Sequence, residues 1–183
     1  MSDNHRIIED MLWGKVNGSC WNKIYKRETI QKYNIRYFPL QFGEDLLFNA
    51  QLLQRSIKVT YLNKAFYHYT DDNPYSIVRR DDSDKSINQK KDYLNTLEQV
   101  LPNEKELIQY QKFMTRWCLF IGGYKRYYKN LFPEVTTNPF ASKSRNRYYR
   151  FCFSPFGFMI YYPRLILRDI YHFLKRILYK IKG

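Results

Sequence analysis

Residues 18–77, GSCWNKIYKRETIQKYNIRYFPLQFGEDLLFNAQLLQRSIKVTYLNKAFYHYTDDNPYSI, are the stretch around which the chain is organised. Its centre is Gly43-Glu44-Asp45. A glycine gives a flexible entry and two carboxylates follow where a helix dipole is positive. Leu46, Leu47, Phe48, Ala50, Leu52 and Leu53 then supply an apolar-periodic face. The local pattern predicts a helix start, with Glu44 or Asp45 as its cap.

Upstream, Ile7, Ile8, Met11 and Leu12 fall at helical spacing and predict a short amphipathic helix. Gly14 and Gly18 bracket a loop, and residues 21–33 read as a second helix with Trp21, Ile24, Tyr25 and Ile30 on one face. Downstream, residues 57–62 and 65–69 read as two short strands around a tight Asn63-Lys64 turn. Asp71-Asp72-Asn73-Pro74 is turn chemistry, and residues 79–84 form a charged loop. Ile87, Leu94, Leu97 and Leu101 predict a helix that Pro102 ends. Asn103 with Glu106 predicts a capping-box start for the next, with Leu107, Met114, Trp117, Cys118 and Ile121 on its face. Gly122-Gly123 marks a stop or kink, and a polar linker runs over 138–144.

A chain of 183 residues is one domain's worth of core. Its 31 basic residues outweigh 17 acidic ones, a net charge of +14 that points to an anionic partner. The charge is concentrated. From Lys143 onward ten basic residues face one acid, Asp169, so this tail carries +9 of the total. Within it, residues 151–162 are apolar and aromatic but broken by Pro155 and Gly157, well short of the ~20 apolar residues a spanning helix needs. After Pro163, Ile166, Ile170, Phe173, Leu174, Ile177, Leu178 and Ile181 share one helical arc. Arg164, Arg168, Lys175, Arg176, Lys180 and Lys182 share the opposite one. Such a helix fits an anionic membrane surface. Three cysteines, Cys20, Cys118 and Cys152, match neither a zinc set nor a disulfide scaffold and suit a reducing compartment. The polar residues 1–10 carry no signal-peptide pattern.

Five pieces of the central stretch, in order, resemble the C-terminal part of the catalytic domain of family-two glycosyltransferases. They are Gly18-Ser19-Cys20-Trp21-Asn22-Lys23-Ile24-Tyr25, Gly43-Glu44-Asp45-Leu46-Leu47-Phe48, Val59-Thr60-Tyr61-Leu62-Asn63, Tyr67-His68-Tyr69 and Asn73-Pro74-Tyr75-Ser76-Ile77. The resemblance implies an α/β fold, a partial GT-A fold that is helix-rich here and ends in a basic amphipathic helix. It implies an acceptor-side catalytic part at 1–82, a helical extension at 83–137, and a linker with a membrane-surface tail at 138–183.

It also implies roles. Asp45, backed by Glu44, would be the general base that takes a proton from an acceptor hydroxyl; a helix cap is the alternative. Gly18 and Ser19 would border the donor sugar, or form an ordinary turn. Trp21, Asn22 and Lys23 belong to the WNK-like signature, with Lys23 meeting a phosphate or standing solvated. Arg79 and Arg80 would meet anionic groups or be plain loop arginines. His68 matches the histidine that completes a Mn or Mg diphosphate site in GT-A enzymes. The implied partners are a nucleotide-sugar donor, a glycan or lipid-linked acceptor, and an anionic membrane at whose cytoplasmic face the chain would sit peripherally.

The donor half of that fold ends in Asp-X-Asp, which does not occur in the matching context here. Asp71-Asp72 comes too late, 81–84 lie beyond the catalytic region, and Thr115-Arg116-Trp117 is only a fragment of the processive enzymes' Gln-X-X-Arg-Trp. The expectation is an acceptor half that is inactive alone: a truncated gene product, an internal start, or a split enzyme with a separate nucleotide-binding chain. A rival reading takes 125–129 and 145–150, where basic and aromatic residues alternate, as a single-stranded nucleic-acid surface. The continuous apolar arc of the tail argues against it, since nucleic acid does not require one.

Overall fold

A run of six residues within ten, Leu47, Phe48, Asn49, Ala50, Leu52 and Leu53, is buried on a single helix, and the first part of the fold is assembled around it. The structure, a computed structural model, describes residues 3–65, 67–68, 83–122, 124–163, 166–167 and 170–171. In chain order the helices are α1 (Asp3–Leu12), α2 (Arg27–Lys32), α3 (Glu44–Leu53), α4 (Ser83–Val100), α5 (Lys105–Ile121), α6 (Lys125–Asn130) and α7 (Lys143–Phe153). Residues 155–163 are also helical. The chain divides into two compact units, Met1–Ile108 and Gln109–Gly183.

In the first unit α3 packs against both α1 and α4. A helix buried on most of its circumference is an interior helix, and its sequence says so: Leu, Phe and Ala dominate where a surface helix would alternate with charge. Ile8, Met11 and Leu12 of α1 and Leu94 and Leu97 of α4 are buried in the same unit. Each large apolar side chain so covered contributes ~1.5–3 kcal/mol. Phe48 and Leu52 also pack with Ile35, and the partly buried Cys20, Tyr25, Ile30, Tyr33 and Ile57 close over that cluster. Polar ties fix the ends. Asn4 Nδ2 donates to the carbonyl of Leu53 at 3.1 Å, and His5 Nδ1 lies 2.7 Å from Glu104, whose own carbonyl accepts the first helical bond of α5 from Ile108. Glu104, not Asn103, therefore occupies the cap position of α5.

Two sequence expectations change here. The helix expected over 21–33 contracts to α2, because 17–25 is organised by side-chain-to-backbone bonds instead; Ile24, expected on the buried face, is 89% exposed. Residues 57–62 run as irregular chain, with Val59, Tyr61 and Leu62 exposed. Among the described residues no strand forms, since extended chain becomes a strand only where a neighbouring edge completes its ladder. Residues 66 and 69–82, which include Arg79 and Arg80, lie outside the described residues.

The second unit is held by aromatic packing. Phe113, Phe120 and Tyr128 are fully covered, and Tyr149, Phe153 and Phe158 join them. Ring centroids lie 4.8 Å apart for Phe113 and Tyr149, 5.3 Å for Phe120 and Tyr128, and 5.6 Å for Tyr128 and Phe158. Arg116 is buried among them. Its Nε donates to the Tyr128 carbonyl at 2.9 Å, its Nη1 to the Val135 carbonyl at 2.8 Å, and its guanidinium lies 4.2 Å from the Phe153 ring centroid. Burial lowers its pKa from the ordinary value. The Thr115-Arg116-Trp117 fragment is thus part of a core. Pro155, which the sequence presents as an interruption, opens a new helix: Ser154 caps it, accepting from Gly157 N–H at 3.1 Å, with proline next in line where no N–H is needed. Gly157 permits the reversal, because a Cβ there would lie 1.9 Å from the carbonyl oxygen of Phe151.

These contacts set up a stability test on the second unit. Arg116→Leu strands two buried carbonyls and should cost ~2–4 kcal/mol. Tyr128→Phe removes a buried hydroxyl that has no hydrogen-bond partner among the described residues, and should leave the midpoint unchanged or raise stability by up to ~1 kcal/mol. Urea titrations followed by tryptophan fluorescence report both.

Candidate functional site

The site grows from the start of α3. Gly43 occupies the cap position with φ of 75°, a left-handed conformation that suits glycine, and any Cβ there would lie 2.1 Å from the Tyr93 ring. Neither Glu44 nor Asp45 caps this helix. Asp45 instead turns outward, and its Oδ2 accepts the backbone N–H of Cys20 at 2.9 Å, across 25 residues of sequence. The Cys20 thiol also lies against the Asp45 carboxylate, and Glu44 is half-buried beside it.

One turn further along α3, Asn49 completes the attachment of the loop. Its Nδ2 donates to the carbonyls of Gly18 at 2.8 Å and Asp45 at 2.9 Å, and its Oδ1 accepts the Tyr25 hydroxyl at 2.9 Å. The loop thus lies against α3 with its backbone satisfied by side chains. Gly18 explains itself in this geometry: a Cβ would sit 3.1 Å from Leu46, so the small residue admits α3. Ser19 N–H donates to Asn17 Oδ1 at 2.8 Å. Lys23 folds back so that its ammonium donates to the carbonyls of Asn17 and Ser19, the latter at 2.7 Å, and to Asn22 Oδ1 at 2.8 Å. An ammonium has three N–H donors, and this loop uses all of them.

The thiol of Cys20 sits among Tyr25, Tyr37 and Asp45. Burial raises its pKa, and the neighbouring Asp45 adds to the rise. Tyr25 is pushed well above the ordinary phenol value by burial, and Tyr37 by its hydrogen bond with Cys20. Burial lowers the pKa of Lys23. Thiol and phenols are thereby kept protonated. An aromatic rim stands nearby: Tyr37 stacks on Phe48 at 4.5 Å yet is 53% exposed, and Trp21 lies 5.2 Å from Tyr67.

His68 is exposed. The metal-competent group found among the described residues is His5, Glu9 and Glu104, which contains none of His68, Glu44 or Asp45. In it the imidazole lies between two carboxylates, Nδ1 toward Glu104 and Nε2 toward Glu9 at 3.7 Å, as a bridge between α1 and the start of α5. His68, which the resemblance implies for a diphosphate-bound metal, is not part of that group. Sequence reasoning missed Cys20, Tyr25, Tyr37 and Asn49 as parts of this site. Asn49 alone left a signal, as one amide inside a run of apolar residues.

The chain is 32% identical over 111 residues to the cholesterol galactosyltransferase of Borreliella burgdorferi, a match that takes in 58% of this chain and 30% of that protein. No family model and no solved structure matches. The chain is similar to part of a glycosyltransferase, and it spans about a third of the length of that relative.

The loop attachment makes two expectations measurable. Asp45→Asn keeps an oxygen for Cys20 N–H and should hold the melting temperature close to the parent's, whereas Asp45→Ala should cost ~1–2 kcal/mol by calorimetry. Iodoacetamide at about pH 8 should label the exposed Cys118 before Cys20, whose thiolate forms only at higher pH because its pKa is raised. Peptide mapping after timed labelling gives the order. Cys20 should react sooner in Asp45→Ala, which both opens the loop and removes a nearby negative charge.

Proposed function

We propose that this chain forms the acceptor-side part of an inverting, family-two-type glycosyltransferase of the GT-A kind. In this reading Asp45 accepts the proton of the acceptor hydroxyl. The hydroxyl oxygen attacks the anomeric carbon of a nucleotide-activated sugar, the bond from that carbon to the diphosphate breaks, and the sugar is passed on with inverted configuration. The observation that carries the proposal is the setting of the Asp45 carboxylate: half-buried at the start of α3, with one oxygen anchored by the loop N–H of Cys20. A base fixed through one oxygen presents the second in a constant direction, which general-base catalysis requires. The partial match to a galactosyltransferase supports the same class.

Trp21, Tyr37 and Tyr67 suit the ring of a sugar or the flat skeleton of a lipid acceptor, both of which pack on aromatic faces. The cholesterol named for the relative makes a sterol one acceptor worth testing. Lys23 is assigned to the loop rather than to the diphosphate, since its donors are taken. A divalent cation is implied by the resemblance, with His68 the residue suggested for it, and no step here is routed through one.

Transfer of labelled galactose or another hexose to sterol, lipid and glycan acceptors tests the proposal, with the chain supplied alone and together with a separately expressed nucleotide-binding half. Asp45→Asn should lower turnover by ~10²–10⁴, roughly 3–5 kcal/mol of barrier, at unchanged melting temperature. A variant that turns over like the parent would leave Asp45 as a loop anchor only and shift the test to Glu44.

A further inference from the structure

Beyond this reaction, we infer that the second unit docks on an anionic lipid surface through the outer face of the helix that begins at Pro155. The inner side of that helix is spent on the core: Phe158 is 5% exposed and stacks on Tyr128, and Tyr161 packs 5.1 Å from Phe120. Among the described residues, its outer side is open to solvent. Phe156 is 72% exposed, Met159 69% and Ile160 59%. Ile166, Leu167, Ile170 and Tyr171, which are helical in turn, are exposed as well.

Projected from the sequence at about 100° per residue, these seven positions fall within an arc of roughly 140°, which Phe173, Leu174, Ile177, Leu178 and Ile181 continue, with Arg168, Lys175 and Arg176 on the other side. Exposed apolar side chains on a helix whose inner side is anchored in a core, with that pattern following in the sequence, have the form of an in-plane interfacial helix. Among the described residues no helix is long and apolar enough to cross a membrane.

Charge identifies the occupant. Lys143, Arg147 and Arg150 are exposed on α7 and share one of its arcs, and Phe151, exposed beside them, lies next to the chain reversal at Gly157. With ten basic residues against one acid from Lys143 onward, a protein partner would need a matching acidic surface and an apolar groove together. A bilayer containing anionic lipid supplies both at once: phosphates for the cations, and an acyl boundary for Phe156, Met159 and Ile160. Nucleic acid would satisfy the cations and leave the apolar stripe in water.

Flotation of the full chain with phosphatidylcholine vesicles, with and without phosphatidylglycerol, tests this. Binding should require the anionic lipid and weaken as salt rises. The variant Phe156→Ser/Met159→Ser/Ile160→Ser changes only exposed side chains, should keep its helical circular dichroism, and should lose affinity roughly ten-fold or more. Arg147→Glu/Arg150→Glu should weaken binding independently, and most at low salt. Several results would overturn the inference. These are no flotation with anionic vesicles, parent-like binding by both variants, or tight single-stranded RNA binding without lipid affinity. A dimer that the serine variant dissociates while vesicles are ignored would do so too.

Discussion

The buried amide of Asn49 is the interaction on which the first unit's chemistry depends. Residues 17–25 have no regular secondary structure, so their backbone groups must find partners elsewhere. Asn49 gives its donors to Gly18 and Asp45 carbonyls and its acceptor to Tyr25, while the Asp45 carboxylate takes the Cys20 amide. A buried amide left half-satisfied would cost more than an apolar residue in its place, so the network holds as a set. Its product is a loop fixed against an interior helix without being helical itself. Gly18 and Gly43 are part of the same constraint, one admitting Leu46 and the other making room for Tyr93.

That network also explains what the sequence could and could not disclose. The helices α1, α3 and α4 were legible because burial writes a period into the chain: Ile8 with Met11 and Leu12, Leu47 with Ala50, Leu94 with Leu97. The start of α3 was legible too, but the reading of Asp45 or Glu44 as its cap was not right, since Gly43 holds that place and Asp45 reaches 25 residues back. No local pattern encodes a contact of that span. For the same reason Trp21, Ile24 and Tyr25 read as a helix face, although side-chain bonds pull this segment into a loop and leave Ile24 in solvent. Pro155 was legible as a break, since α7 ends at Phe153 and a new helix opens at the proline.

The roles that the family resemblance implies meet the structure residue by residue. Gly18 and Lys23, implied for donor contacts, are accounted for by packing and by the loop's own carbonyls. Asp45 is different, because the loop amide it holds engages one oxygen of its carboxylate. A carboxylate has two, and fixing the first is what aims the second. Anchor and base are therefore compatible assignments for one side chain, and stability alone does not distinguish them. The variant that separates them must keep the hydrogen bond and remove the basicity, which is what asparagine does.

The two units also divide the physical work. In the first, the polar contacts are inward and specific: Asn4 on Leu53, His5 on Glu104, Asn49 on the loop. In the second, the buried guanidinium of Arg116 is satisfied by carbonyls and a ring face rather than by an acid, so it consumes none of the unit's scarce negative charge. The remaining cations from Lys143 onward have one acid in sequence to offset them. Such an excess is self-repelling in a compact unit, and it destabilises unless something outside neutralises it. A partner bearing fixed negative charge relieves that repulsion wherever it meets the chain. The exposed apolar stripe narrows the choice further, since only a partner with an apolar layer beneath its charge relieves both liabilities in one contact.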